Sequence, residues 1–256
     1  MTTQRPHIDP SRPKQRIKPL KAWGHMRKLI ADKEDTAQVF HIIESLNGNS
    51  LRRDLARFYA TPNGATLMQD RRPLADVMDN HAPIEALPAN TVGRAYLAFM
   101  QREGLTANGL VEESLINRGG RNEYNDDLAW YANRLRDTHD LDHVLSGYGR
   151  DALGEASLLA FSHIQHGGMG INFIAYMGNR QIRKFVPREA DIVGVKKEAR
   201  ANGKAAARVA DQDIEALLRE PLDDARKRMN IAKPVAYKNA LRIIGDHGID
   251  YQTVAA

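Results

Sequence analysis

No stretch of the chain alternates β-branched or aromatic residues with polar ones over a useful length, so it offers no convincing strand. Its apolar residues recur instead at spacings of three and four, the period of a helix with one buried face. Leu20, Trp23, Met26, Leu29 and Ile30 share one such face, and Val39, Phe40, Ile42, Ile43 and Leu46 another. The punctuation agrees with this period. Thr91 stands where a cap is needed before Val92–Glu103, and Gly104 where that helix must stop. Asp126 caps a central helix predicted to run from 126 to 145, Asp151 caps its partner over 152–165, and Asp211 starts a later one. With 256 residues and 42% hydrophobic content, the chain can bury one sizeable core. The expectation is an all-α fold: a single helical domain with a central antiparallel helical hairpin. The run 70–91 reads as a connector, and 105–124 as an irregular lid or specificity loop.

The hairpin carries the only concentrated chemistry. Positions 139–143 read His-Asp-Leu-Asp-His. In a helix, His139 and His143 lie one turn apart on one face, and Asp140, three residues before His143, flanks it. Glu155 follows a turn containing Gly147 and Gly149, in the first turn of the next helix, and an antiparallel return brings it back toward the imidazoles. Two His, one Asp and one Glu form a four-ligand set for zinc or a similar divalent ion. Asp142 or Asp137 could orient a ligating imidazole through its second nitrogen. The competing reading is a hydrogen-bonded or solvated charged cluster holding no metal.

Composition removes several chemistries. There is no cysteine, hence no disulfide, thiolate metal site, iron–sulfur cluster or cysteine nucleophile. The formal charge is +5, with basic residues gathered in 1–28 and again in 180–208. Such patches suit anionic lipid head groups or phosphates. Few aromatics accompany them and no nucleic-acid motif appears, so no nucleic acid is expected. No apolar run approaches the roughly 20 residues of a membrane span, and none follows the first charges as a signal peptide requires. Pro6, Pro10, Pro13 and Pro19 break any helix at the start, so 1–16 reads as a flexible basic lead.

Related spellings are less apt. A metalloprotease His-Glu-x-x-His needs glutamate where Asp140 stands. An HD-type phosphohydrolase needs a further upstream His and a downstream Asp; His81 and Asp211 exist, but nothing about their settings recommends them. A third pattern fits much more of the chain. His139-Asp140-x-x-His143, eleven residues, then Glu155 resembles the signature of the coenzyme Q biosynthesis protein 4 family. Asp140 to Gly147 and Leu153-Gly154-Glu155 look like that family's central hairpin. Ala86-Leu87-Pro88, Val92 to Phe99, Asp127 to Trp130, Leu217 to Glu220 and Asn230-Ile231 are similar to further family segments. The resemblance divides the chain into the lead 1–16, a helical family domain 17–236 and a C-terminal extension 237–256. The basic stretch near 196–208 departs from the family pattern.

The resemblance implies a ubiquinone-synthesis protein whose His139, Asp140, His143 and Glu155 bind a divalent metal, usually called zinc. It implies oxidative decarboxylation at ring carbon 1 of a polyprenylated hydroxybenzoate, with those four residues catalytic. The alternative is a non-catalytic lipid-binding scaffold with a structural metal. Expected partners are the polyprenylated aromatic precursor, other ubiquinone-synthesis proteins, a membrane surface and a second copy of the chain in a homodimer. The expected location is cytoplasmic, on the inner face of the membrane, or the matrix side of a mitochondrion. A prenyl tail needs an apolar wall, for which Gly170, Phe173, Ile174 and Met177 are the candidates.

Overall fold

The structure is a computed structural model and describes residues 5–32, 35, 37–109, 111–112 and 124–250. Among these the architecture is helical throughout. The helices in chain order are α1 (Pro19–Ala31), α2 (Ala37–Leu46), α3 (Ser50–Tyr59), α4 (Gly64–Asp70), α5 (Leu74–Met78), α6 (His81–Glu85) and α7 (Val92–Glu103). After these come α8 (Asp127–Asp137), α9 (His139–Ser146), α10 (Ala152–His166), α11 (Met169–Ile182), α12 (Ile192–Ala205), α13 (Ile214–Arg219), α14 (Leu222–Arg228) and α15 (Val235–Asp246). The described extended pairing is an isolated antiparallel bridge between Thr91 and Pro221. The connector 70–91 contains two short helices, α5 and α6, because Leu74, Met78 and Ile84 each find a buried position. Most of the lid expected over 105–124 lies outside the described residues, as does Thr36 at the expected start of α2.

The chain forms two compact units, each built from three separate stretches. The first comprises 1–14, 51–145 and 207–229. Leu55, Phe58, Met68, Leu128 and Tyr131 form one of its cores. Arg134, 3% exposed, donates from Nε to the Ala210 carbonyl at 2.7 Å and from Nη2 to that of Gln212. Burial draws this guanidinium down to about 10, against the pull of nearby acids. These tethers explain a shifted helix start. Val209–Asp211 is a 3-10 turn whose Ala210 carbonyl is committed to Arg134. The cap of α13 is therefore Asp213, which accepts the Ala216 N–H at 3.1 Å.

Residues 7–12, within the segment expected to be a flexible lead, bond to the start of α8. The His7 N–H donates to Asp127 at 2.6 Å and the Asp9 N–H to Asp126 at 2.9 Å. Arg12 grips Asp126 with two nitrogens at 2.6 and 2.7 Å. Asp126 also caps α8 by accepting the Ala129 N–H at 2.9 Å. Burial works against its charge, but the bonds from Arg12, Asp9 and Ala129 outweigh burial and hold the carboxyl at about 2. A carboxyl lowered on folding stabilises above its unfolded value, near 4, and loses that contribution as pH falls through about 2. The stability gap between the wild type and Asp126→Asn should therefore narrow from pH 5 toward pH 2. A gap that stays constant over that range rules out this ionised cap as its source.

The second unit comprises 15–50, 146–206 and 230–256. Here α1 packs on α2, α11 on α2 and α10, and α12 on α10. Two of these approaches need glycine. A Cβ on Gly170 would lie 2.6 Å from the Ile43 Cα, and one on Gly203 would lie 2.5 Å from the Phe161 carbonyl oxygen. The stretch read as an extension supplies Tyr237, Ala240 and Ile244 to a core shared with Leu158, Phe161 and Val195. No described helix is long and apolar enough to cross a membrane.

Candidate metal centre

The predicted central helix is interrupted at Thr138, which separates α8 from α9. Its hydroxyl donates to the Arg134 carbonyl at 3.0 Å, a back-bond of the kind that bends helices. Helical bonding runs on across this boundary, since the Asp142 N–H reaches the Thr138 carbonyl at 3.0 Å. The site begins at the next residue. His139 and His143 rise from one face of α9 with ring centroids 5.0 Å apart and planes at 84°. A ligand atom from each of His139, Asp140 and His143 lies within 4.8 Å of the other two. Asp140 and His143 are buried and His139 partly so. These three could hold a metal ion.

The surroundings fit that use. Phe99 from α7 stacks on His143, with centroids 5.5 Å apart and planes at 23°, which restricts the imidazole's rotation. Asp142 is buried, and its Oδ1 has no hydrogen-bond partner among the described residues. Burial pushes its carboxyl up to about 7, opposed by His143 and helped by the charge of Asp140. Burial within one helical turn disfavours the charged forms of Asp140 and Asp142 unless a cation compensates them. Imidazole nitrogens with a carboxylate oxygen, and no thiolate, are donors suited to zinc and similar divalent ions.

Tyr96, one turn before Phe99 on α7, is 1% exposed, and its hydroxyl has no hydrogen-bond partner among the described residues. Burial raises its pKa strongly, and the negative charges of Asp140, Asp79 and Asp137 add to the shift. It is thus a protonated phenol with an unused donor. Since an orphaned buried hydroxyl destabilises, Tyr96→Phe should leave thermal unfolding unchanged or gain about 1 kcal/mol. A loss of that size would show that the hydroxyl has a partner after all.

Of the four residues singled out from sequence, the structure gathers three. Glu155 belongs to the second unit, on the first turn of α10, with its carboxylate 3.7 Å from the Arg150 guanidinium. Asp151 caps that helix through the Gly154 N–H at 3.0 Å. The four candidate lipid residues all lie on α11. Gly170 meets α2 at Ile43, Phe173 tilts against Trp23 at 6.2 Å, and Ile174 is buried beside Met26 and Ile42 with Met177 packed on that cluster. Phe99 and Tyr96, both within the family-like segment Val92 to Phe99, are parts of the site that carry no site signal of their own in the sequence. Their (i, i+3) spacing on α7 was visible, but the α9 face they meet was not.

The fold and the cluster define an all-helical protein in which His139, Asp140 and His143 could hold a metal ion. The family described as Coenzyme Q (ubiquinone) biosynthesis protein Coq4 matches residues 20–235, and this chain belongs to that family. A relative from Danio rerio, named ubiquinone biosynthesis protein COQ4 homolog, mitochondrial, is 29% identical over 175 residues, covering 68% of this chain and 61% of its own length. One from Pyrenophora tritici-repentis, named ubiquinone biosynthesis protein coq4, mitochondrial, is 28% identical over 182 residues, covering 70% and 58%. The chain thus spans about three-fifths of the length of the curated relatives it matches. A crystal structure of a protein from Nostoc punctiforme superposes with a TM-score of 0.61 at 17% identity, over 85% of this chain and 100% of that one, a likeness of fold.

Proposed function

We propose that this protein acts in ubiquinone biosynthesis by metal-dependent oxidative decarboxylation of a polyprenylated hydroxybenzoate at ring carbon 1. The observation that carries the reading is the three-donor cluster of His139, Asp140 and His143 in a chain of this family. Those residues hold the divalent metal, zinc in the simplest case, and Glu155 supplies the fourth ligand, as the resemblance implies. A bound divalent ion supplies Lewis acidity toward a carboxylate or phenolate oxygen. Replacing the ring carboxyl by a hydroxyl is a two-electron oxidation that releases carbon dioxide; with water as the source of the hydroxyl and dioxygen as the two-electron acceptor, hydrogen peroxide is the co-product.

The chain's own residues have separate parts. Phe99 fixes the His143 ring, Asp140 carries the carboxylate donor, and Tyr96 offers a neutral hydrogen-bond donor. The apolar side chains of Phe173, Ile174 and Met177, beside Gly170, receive the prenyl tail. Such a substrate resides in lipid, so the protein works at a membrane surface, on the cytoplasmic inner face or the matrix side, as a homodimer with other ubiquinone-synthesis proteins. Support for the membrane reading comes from α1, where Leu20 is 89% exposed and Trp23 48%, among exposed Lys18, Lys21, Arg27 and Lys28.

The experiment combines elemental analysis of purified protein with measurement of ubiquinone and its carboxylated precursor in cells carrying only Glu155→Gln. The expected result is metal in the wild type, and precursor accumulating with less ubiquinone in the variant. A second reading is a lipid-binding scaffold with a structural metal; it needs Glu155 to join His139, Asp140 and His143, because four protein ligands close a tetrahedral site, whereas three leave a position open. Full ubiquinone formation by a folded, metal-depleted variant would establish that reading and end the catalytic one.

A further inference from the structure

We infer that Arg226, on α14, is a positioning residue for the metal cluster: its guanidinium holds the end of the helix that carries all three donors. The inference rests on reading that cluster as a metal site. Helix α9 is two turns long, so its last carbonyls lie within one turn of His143. The final carbonyls of a helix have no partner inside it and carry its negative end. Two of them are taken by one side chain. Arg226 Nε donates to the Leu145 carbonyl and Nη2 to the Val144 carbonyl, both at 3.0 Å. A planar fork reaching two successive carbonyls fixes the direction of the helix end as well as its place. Its third nitrogen, Nη1, lies 3.6 Å from Asp223, one turn back on the same helix.

The chain that carries Arg226 is itself anchored to the other helix of the site. The Val92 N–H donates to the Glu220 carbonyl at 2.9 Å and the Leu222 N–H to the Asn90 carbonyl at 2.8 Å, on either side of the Thr91–Pro221 bridge. That bridge joins the start of α7, and α7 brings Phe99 onto His143. The short run 220–226 therefore ties the start of one site helix to the end of the other. Arg226 touches no donor atom and acts through the α9 backbone, as an outer partner that orients a ligand set.

Affinity for Zn2+ and Co2+ added alone to the metal-stripped full chain, measured by chelator competition, tests this. The visible spectrum of the Co2+ form is recorded alongside. Arg226→Gln should weaken both metals about tenfold, within the 10–100-fold range for loss of an outer partner, and should shift the Co2+ absorption. Arg226→Lys keeps the charge but lacks the fork, and should recover less than half of the lost affinity on a logarithmic scale. Arg228→Gln, on the same helix as Arg226, breaks the exposed pair with Glu220 and should leave affinity and spectrum unchanged. Should Arg226→Gln fail to fold, Arg226→Lys carries the test alone, with a drop of at least threefold expected. Wild-type affinity and spectrum in a folded Arg226 variant, while His143→Gln loses metal, overturns the positioning role and leaves the metal site standing. Retention of metal by His143→Gln overturns the metal reading itself, and the positioning role with it.

Discussion

Replacing His143 with glutamine is expected to weaken metal binding by about 100-fold or more, roughly 2.7 kcal/mol. The size follows from its place. His143 is 1% exposed, stacked on Phe99 and within 4.8 Å of both other donors, so no water takes over its role without displacing packed side chains. Glutamine fits this test better than alanine, because it roughly keeps the volume against Phe99 and avoids mixing a cavity penalty with the loss of a ligand. Stability should follow the metal. A metal at 100 times its dissociation constant adds about 2.7 kcal/mol to folding, which in a chain of this size raises the midpoint by roughly 5–10 °C. Chelation should remove that increment from the wild type and leave His143→Gln unmoved. One equivalent of metal bound at wild-type affinity by the variant would sink the assignment of His143.

The local parts of this site were legible, and the tertiary parts were not. His139, Asp140 and His143 come together because helical spacing alone places them there, so a five-residue window contained the answer. The caps at Thr91, Asp126 and Asp151 and the left-handed stop at Gly104 were readable for the same reason, each being a contact within three residues. The cap of α13 was misplaced by two residues, because Asp211 and Asp213 are equally good caps locally. Arg134, distant in sequence, decides between them by claiming the carbonyls of Ala210 and Gln212. The helix boundary at Thr138 leaves an equally faint trace, since a threonine in mid-helix is tolerated and its hydroxyl bond to the Arg134 carbonyl cannot be read locally. Phe99, Tyr96 and Arg226 meet α9 from elsewhere in the chain, and no periodicity announces such meetings.

Arg208 shows the same limit and sets the largest stability effect expected outside the site. In sequence it ends a Lys/Ala-rich stretch, and it reads as one more surface charge. In the structure its side chain is 10% exposed, and it bonds to Asp54 at 2.9 Å and to the Tyr131 hydroxyl. The Tyr131 hydroxyl in turn donates to the other Asp54 oxygen at 2.6 Å. Asp54 is 4% exposed and Tyr131 fully buried, so the three groups form one interior network. Breaking a buried pair by removing one partner leaves an uncompensated charge and costs about 3–5 kcal/mol. Arg57 stays 2.7 Å from Asp54 but is half exposed, so it compensates only in part. Arg208→Met should therefore lose about 3 kcal/mol, a fall of roughly 6–12 °C in the unfolding midpoint. Lys204→Ala, at an exposed position of the same stretch, should change stability by less than about 0.5 kcal/mol. Adding Asp54→Leu and Tyr131→Phe to Arg208→Met should recover part of the loss, because the buried Asp54 charge is then gone, although half-exposed Arg57 and Asp211, 3.5 Å from Arg208, each lose a partner. If the single variant is as mild as Lys204→Ala, the network contributes nothing to folding and Arg208 belongs with the surface charges after all.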